Sequence, residues 1–423
     1  MRVAIVGGGV SGLAAADRLQ QHAEVTLFEA QRRLGGHSDS HAIMVDGQTH
    51  TVDSGFIMWE PQRAPGFHAW LRELGVRTSP AEVGLGVRDE VSGIEFGTQS
   101  LASLFCQRRN VLSPRFLALL GEVRRLHQTA RVATVSAQIT LTEFLEQQGF
   151  SDQLFKLVLL PLCRALWSLD AAAARALPAR YALAQLAGYR VLPFDRPPVW
   201  HVFRRGAGSY VDAFVARFGG GIRRGEAVVA VSRAGGQVAI TTASGRQVFD
   251  AVVLACHSHD ALGLLEDPSG AERDILGALR FARSERVVHS DVRVMPRDPR
   301  AWSAWNARID AGDGCEFTFW MNRILGLRSK TPLFVTVDPE QPLDRVWARL
   351  DYATPVLDAR ARVAQERRDE ISGVRNTWYC GAWWGDGLQE DGFRSGVDTA
   401  AAVADYAEMR RSNTGRQDRS ATG

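Results

Sequence analysis

A chain of 423 residues is long enough for two or three domains, and 45% hydrophobic with 23% charged residues is the balance of a globular protein, which excludes a disordered or fibrous one. A formal net charge of +3 lacks the strong basic excess of a nucleic-acid binder, so no nucleic-acid partner is expected. Lys156 and Lys330 are the only lysines, and the five cysteines (Cys106, Cys163, Cys256, Cys315, Cys380) contain no Cys-x-x-Cys pair, which argues against a disulfide framework or thiolate metal site and favours a reducing cytoplasm.

Residues 2–6 form a short apolar run, a glycine cluster follows, 13–21 has helical character and 24–28 is again apolar: strand, turn, helix, strand. A strand starting at Arg2 leaves no room for a signal peptide. From about 65 to 199 the pattern becomes mostly helical, with segments at 116–131 and 141–148. The most apolar run, 155–169, contains Lys156, Pro161 and Arg164 and is too short to span a bilayer; it reads as buried helix or the wall of an apolar pocket. Strand character returns at 226–232, 237–242 and 251–255, with turns at Gly235-Gly236 and Ser244-Gly245. Trp302, Trp305, Phe317, Phe319 and Trp320 give the stretch 266–365 an aromatic density suited to a pocket. The chain closes with a strand at 377–379, a Gly/Trp loop, a helix over 394–410 and a polar tail expected to be frayed. No repeat of fixed period is present.

Gly7-Gly8-Gly9-Val10-Ser11-Gly12 satisfies the spacing Gly-x-Gly-x-x-Gly between strand and helix, and Glu29 ends the next strand 22 residues after Gly7. Gly7 permits the tight turn, Gly9 lets backbone approach a pyrophosphate, Ser11 stands at the helix start and Gly12 lets helix and strand pack closely. The helix N-terminus offers unpaired N–H groups and the positive end of its dipole to phosphate, while Glu29 accepts from ribose hydroxyls and disfavours a 2′-phosphate. A glycine-rich turn without a ligand is the alternative. Arg33-Leu34-Gly35-Gly36-His37 adds a second glycine pair, and Asp53-Ser54-Gly55-Phe56 a further small-residue loop with a carboxylate. A plain NAD domain has no use for them; FAD, which continues past its pyrophosphate into a ribityl chain, does.

With these motifs the sequence resembles the flavin-containing amine oxidase superfamily, which includes monoamine oxidases, protoporphyrinogen oxidase and phytoene desaturases. Members open with the glycine fingerprint, an acid and a Gly-Gly pair, matched by Gly7, Gly9, Gly12, Glu29, Gly35 and Gly36. They close with a strand and helix against the flavin, matched by Tyr379-Cys380-Gly381 and Asp391-Gly392-Phe393-Arg394-Ser395-Gly396. The resemblance implies that Ala227-Val228-Val229 gives backbone contacts to adenine and that residues 250–255 return to the cofactor domain. It is strongest to a bacterial branch known as NAD/FAD-binding proteins or FAD-dependent oxidoreductases, through Gln107-Arg108-Arg109-Asn110, Trp167-Ser168, Trp320-Met321-Asn322-Arg323 and Gly385-Asp386-Gly387. Members are often found beside fatty-acyl methyltransferases resembling cyclopropane synthases, which implies lipid chemistry.

The implied fold is an α/β one of amine oxidase/protoporphyrinogen oxidase type: a discontinuous Rossmann-type FAD-binding domain (1–65, 200–265, 366–410), an inserted α+β substrate domain (66–199, 266–365) and a flexible tail (411–423). Expected FAD-binding residues are Gly7, Gly9, Ser11, Gly12, Glu29, Arg33, Gly35, Gly36, His37, Asp53, Gly55, Val228, Gly381, Asp391 and Gly392. No cysteine precedes Gly392 at the spacing of a flavin thioether, so the cofactor is expected to be non-covalent. Amine oxidases of the superfamily commonly carry a lysine near flavin N5, and neither lysine here stands where it belongs; Trp383 and Trp384 are either an aromatic cage or interface packing. The expected reaction is therefore hydride removal from an apolar, fatty-acyl-like substrate, with amine oxidation and a non-catalytic flavin-binding subunit as alternatives. No second nucleotide fingerprint follows a strand, which leaves oxygen, a quinone or a carrier as oxidant. His257 and His259 read as a solvated turn rather than a metal site, and Arg108, Arg109, Arg115, Arg124 and Arg125 as a solvated helix face or a contact with an anionic membrane surface.

Overall fold

The run at residues 2–6 is apolar at every position after Arg2, the pattern of a strand covered on both faces, and it forms the middle of a parallel sheet. In the computed structural model, which describes residues 1–132, 135, 139–186, 198–312 and 314–421, this sheet has five strands. They are β1 (Arg2–Val6), β2 (Glu24–Glu29), β3 (Gly221–Arg224), β4 (Ala251–Leu254) and β5 (Thr377–Tyr379), in spatial order β5-β4-β1-β2-β3. Helix α1 (Val10–Leu19) connects β1 to β2, which pair from Arg2 opposite Glu24 to Val6 opposite Phe28. This is the Rossmann-type layer expected from the sequence.

Alternation along the strands sorts the core into two layers. Val3, Ile5 and Val253 pack with α1, with helices Pro65–Glu73 and Gly208–Arg217, and with the long C-terminal helix α2 (Gln389–Ala421). Ala4, Val6, Val252 and Leu254 pack against the antiparallel strands Val228–Ala234, Gln237–Thr242 and Gly245–Phe249 and the helices that follow. A second, mixed sheet of seven strands has the order Val346–Pro355, Phe281–His289, Phe334–Val337, Cys315–Trp320, Trp305–Ile309, Leu85–Asp89, Glu95–Gly97. Its core continues into the helices between 114 and 186. Among the described residues no helix is long and apolar enough to cross a membrane.

Three expectations are corrected here. The stretch from 65 to 199 is not only helical: strands Thr78–Ala81, Leu85–Asp89 and Glu95–Gly97 lie within it, and 187–197 fall outside the described residues. The first two of these strands pair with Trp200–Phe203 and Trp305–Ile309, partners more than a hundred residues away that leave no local pattern. Helix Pro65–Glu73, assigned to the substrate domain, packs on the first sheet instead, because buried Asp17 of α1 accepts from Trp70 Nε1 at 2.8 Å and Arg217 Nε at 3.0 Å. The C-terminal helix begins at Gln389 rather than 394 and continues to Ala421, through residues expected to fray.

Helices α1 and α2 meet backbone to backbone. A Cβ on Gly396 would stand 2.2 Å from the Ser11 carbonyl oxygen, and one on Gly12 would stand 1.9 Å from that of Gly7. Asp53 is fully buried where the hairpin strands Ser40–Val45 and Gln48–Asp53 end; it accepts from Ser40 Oγ at 2.5 Å and Ala207 N at 2.8 Å. Burial pushes its carboxyl up to about 6, against the pull of those two donors.

Gly396→Ala is expected to force the helices apart and cost about 1–3 kcal/mol in urea unfolding. Gly121→Ala, whose added methyl meets nothing within 4 Å in helix Pro114–Val132, should gain roughly 0.5–1 kcal/mol. Equal stability of the two variants would contradict the packing described. Because the folded Asp53 holds its proton more tightly than the unfolded chain, whose value is 3.8, its contribution to stability is full below that pH and is lost as pH rises through about 6. Asp53→Asn should flatten the decline in stability between about pH 4 and pH 7 by on the order of 2–3 kcal/mol. Unfolding curves with the same slope against pH in both proteins would refute this.

Candidate active site

The C-terminal ends of β1, β2, β4 and β5 converge with the start of α1 on a cavity of about 690 Å³, within the range of small-molecule sites. Gly7, Gly9 and Ser11 line it, and α1 begins at Gly9 with no side chain capping its first amides. These amides are the donors of an uncapped helix start, and a Cβ on Gly9 would touch nothing within 4 Å, so an anion can approach the backbone directly. The second glycine pair abuts the first: the Gly35 amide donates to the Gly8 carbonyl at 2.8 Å. Glu29 lines the cavity and accepts from the Gly8 amide through Oε2 and the Gln31 amide through Oε1, both at 2.8 Å, which fixes its carboxylate at the lip with lone pairs to spare. Glycine cradle, uncapped amides and fixed acid fit a nucleotide diphosphate with its ribose.

Of the other expected residues, Gly35, Gly36, His37, Gly55, Val228 and Gly381 line the cavity. Gly12, Arg33, Asp53, Asp391 and Gly392 do not. Gly12 serves the strand-to-helix contact described above. Arg33 pairs with Asp39 at 2.9 Å and donates to the Gly36 carbonyl at 2.9 Å, bracing the glycine pair from behind. Asp53 braces Ala207. Asp391 accepts from the Leu388 amide at 2.9 Å, and its burial pushes it up to about 6. Gly392 is a packing glycine, whose Cβ would lie 2.7 Å from Val10 Cγ1. Its neighbours Gln389 and Glu390 are the α2 residues in the lining, and Glu390 caps helix Pro65–Glu73 by accepting from the Gly66 and Phe67 amides at 3.0 and 2.8 Å.

Beyond the glycines the walls turn aromatic and aliphatic: Phe56, Trp59, Leu166, Trp200, Trp305 and Phe319. Trp383 lines the cavity and donates to the Cys256 carbonyl at 3.1 Å, whereas Trp384 lies against it with ring centroids 4.4 Å apart, so the two do not face each other across a substrate. His37 is half-buried, and desolvation, helped by His257, Arg286 and Arg33, pushes it down to about 3, so it is neutral at pH 7. His257 and Asp260 border the cavity, and His257 and His259 each approach the Asp260 carboxylate, at 3.5 and 3.4 Å.

The residue that sequence reasoning passed over is Arg286. It lies in strand Phe281–His289, lines the cavity and is 8% exposed. Its NH2 donates to Ser168 Oγ at 3.1 Å and its NH1 to the Ser54 carbonyl at 3.4 Å, while Nε has no acceptor. The sequence gives no signal for it, since strand Phe281–His289 also carries Arg283, Ser284, Glu285 and His289 and Arg286 does not stand out among them.

Comparison with known proteins accords with this geometry. The family described as flavin containing amine oxidoreductase matches residues 10–280, more than half of the chain. Tryptophan 2-monooxygenase of Pseudomonas savastanoi is 34% identical over 90 residues, a match spanning 21% of this chain and 16% of that protein. Cyclohexylamine oxidase from Brevibacterium oxydans IH-35A superposes with a TM-score of 0.71 at 15% identity, covering 96% of this chain and 99% of its own. The CLA-producing fatty acid isomerase from P. acnes superposes with a TM-score of 0.68 at 17% identity, covering 95% and 98%. The family match, supported by a glycine cradle that suits a dinucleotide and by a shared fold, establishes that the chain belongs to the flavin-containing amine oxidoreductases and is a FAD-dependent oxidoreductase.

Proposed function

We propose that the chain binds FAD non-covalently and removes hydride from an apolar, fatty-acyl-like substrate, leaving a carbon–carbon double bond, with the second hydrogen lost as a proton. The observation that carries this reading is the wall of Phe56, Trp59, Leu166, Trp200, Trp305 and Phe319, a surface for a hydrocarbon chain. When bound, FAD supplies a hydride acceptor at its N5. The amides at the start of α1 would hold its diphosphate, with Glu29 on the ribose, Val228 at the adenine, and Gly35, Gly36, His37, Gly55 and Gly381 along the remainder. The aromatic walls would orient the C–H bond and exclude water. Cys256 is the one cysteine in the lining, and burial holds its thiol above the ordinary range, which disfavours the thiolate needed for a covalent link.

Amine oxidation is the rival reading, and the lysines weigh against it. Lys156 pairs with Asp152 at 3.1 Å, Lys330 is exposed, and neither lines the cavity. The fatty acid isomerase named above acts on an acyl chain within this fold, and the cyclohexylamine oxidase on an amine.

The surface adds a second element to the proposal, peripheral contact with an anionic bilayer. Leu101, Val111, Leu112 and Leu117 are exposed within 17 residues, Leu112 to 85%. Arg108, Arg115 and Arg124 alternate with them and form no ion pair among the described residues. Apolar knobs ringed by arginine suit a headgroup layer over an acyl boundary.

Two measurements test these readings. Mixed without oxygen, FAD-loaded protein should be bleached by fatty acyl substrates at least about tenfold faster than by alkyl or aryl amines; the reverse order would replace the acyl reading by the amine one. In vesicle flotation the protein should partition onto phosphatidylglycerol membranes in low salt, and triple substitution of Arg108, Arg115 and Arg124 by Glu should weaken this by about 100-fold or more. Partitioning insensitive to those charges would remove the bilayer contact.

A further inference from the structure

We propose that Arg286 anchors a carboxylate on the substrate, so that the enzyme takes acids bearing an apolar chain. The inference rests on the apolar-substrate reading and adds the polar end of that substrate. A buried guanidinium is normally matched by a carboxylate. Arg286 has none. The acids around it are already committed: Asp338 pairs with Arg164 at 3.2 Å, and Asp39 pairs with Arg33 at 2.9 Å and accepts from the Tyr352 hydroxyl at 3.3 Å. Its two hydrogen bonds go to neutral oxygens of Ser168 and Ser54, and of its five N–H groups the one on Nε meets no acceptor.

The setting selects the ligand. Phe319 and Tyr352 flank the guanidinium, with ring centroids 5.8 and 5.9 Å from its carbon, which holds its plane in place inside the cavity. A fixed planar fork with free N–H groups matches the two oxygens of a carboxylate, and the neutral Phe319, Trp305 and Phe56 in the same lining suit the chain behind it. The nucleotide phosphates have their own donors at the start of α1, so they do not supply this counter-charge. An ammonium substrate would meet an uncompensated positive charge.

The test is binding to the full-length, FAD-loaded protein of decanoate and of decanol, which share a chain and differ in the head, followed through the visible flavin spectrum and by calorimetry. Arg286→Met should weaken decanoate about 10–100-fold, the range of a charge-assisted hydrogen bond, while changing decanol less than about threefold. Arg286→Lys, which keeps the charge but not the fork, should fall between. Flavin content reports whether each variant has folded; if Arg286→Met fails that check, the decanoate-to-decanol ratio in Arg286→Lys decides, and an unchanged ratio overturns the proposal. Equal losses for both ligands, or none for decanoate, also overturn it. If the wild-type protein binds decanol and not decanoate, the carboxylate anchor alone is wrong; if it binds neither, the apolar-substrate reading falls as well.

Discussion

The site depends on one close approach. The first turn of α1 touches backbone at Gly7 on one side and at Gly396 of α2 on the other, with no room for a methyl group at either contact. Dispersion acts over so short a range that a gap of an ångström would forfeit much of the contact. Seating the two helices this tightly brings chain segments almost four hundred residues apart to the same lip of one cavity. The uncapped amides of α1, the second glycine pair and the start of α2 are neighbours only because these helices are.

Around that contact the molecule divides its labour. The parallel sheet supplies rigid strand ends and helix dipoles, suited to a charged, nearly invariant cofactor. The mixed seven-stranded sheet supplies side chains, and Arg286, Trp305 and Phe319 come from three of its strands. Chemistry common to a family resides in backbone, and selectivity resides in side chains that substitution can change without disturbing it. Neutral His37 lies between the two regions, with Tyr352 and His257 against its ring.

The fingerprint from Gly7 to Gly12, Glu29 and the Gly35-Gly36 pair could be read from sequence because each acts through local backbone geometry, which spacing records. Gly392 packs against Val10 of α1, and a glycine looks the same in sequence whether a ligand or a helix needs the space. Strands Thr78–Ala81 and Leu85–Asp89 escape a local reading because each pairs with a strand more than a hundred residues later, and helix Pro65–Glu73 falls in the other layer because Asp17, which holds it through Trp70, is a polar residue inside a helix core. Arg286 was hidden among 48 arginines, and nothing local distinguishes a buried one.

The order of the first sheet has a consequence for synthesis on the ribosome. Its outer strand β5 and the helix α2 emerge after its other four strands, while β1, at its centre, precedes them all. Until β5 and α2 have been made, β4 therefore lacks its neighbour, and α1 keeps an apolar stripe that α2 covers. An unpaired strand edge beside uncovered aliphatic surface is the form of nascent chain that chaperones bind and that aggregates when they are scarce. Yield in cells should thus depend on how quickly β5 and α2 arrive as much as on the stability of the folded molecule.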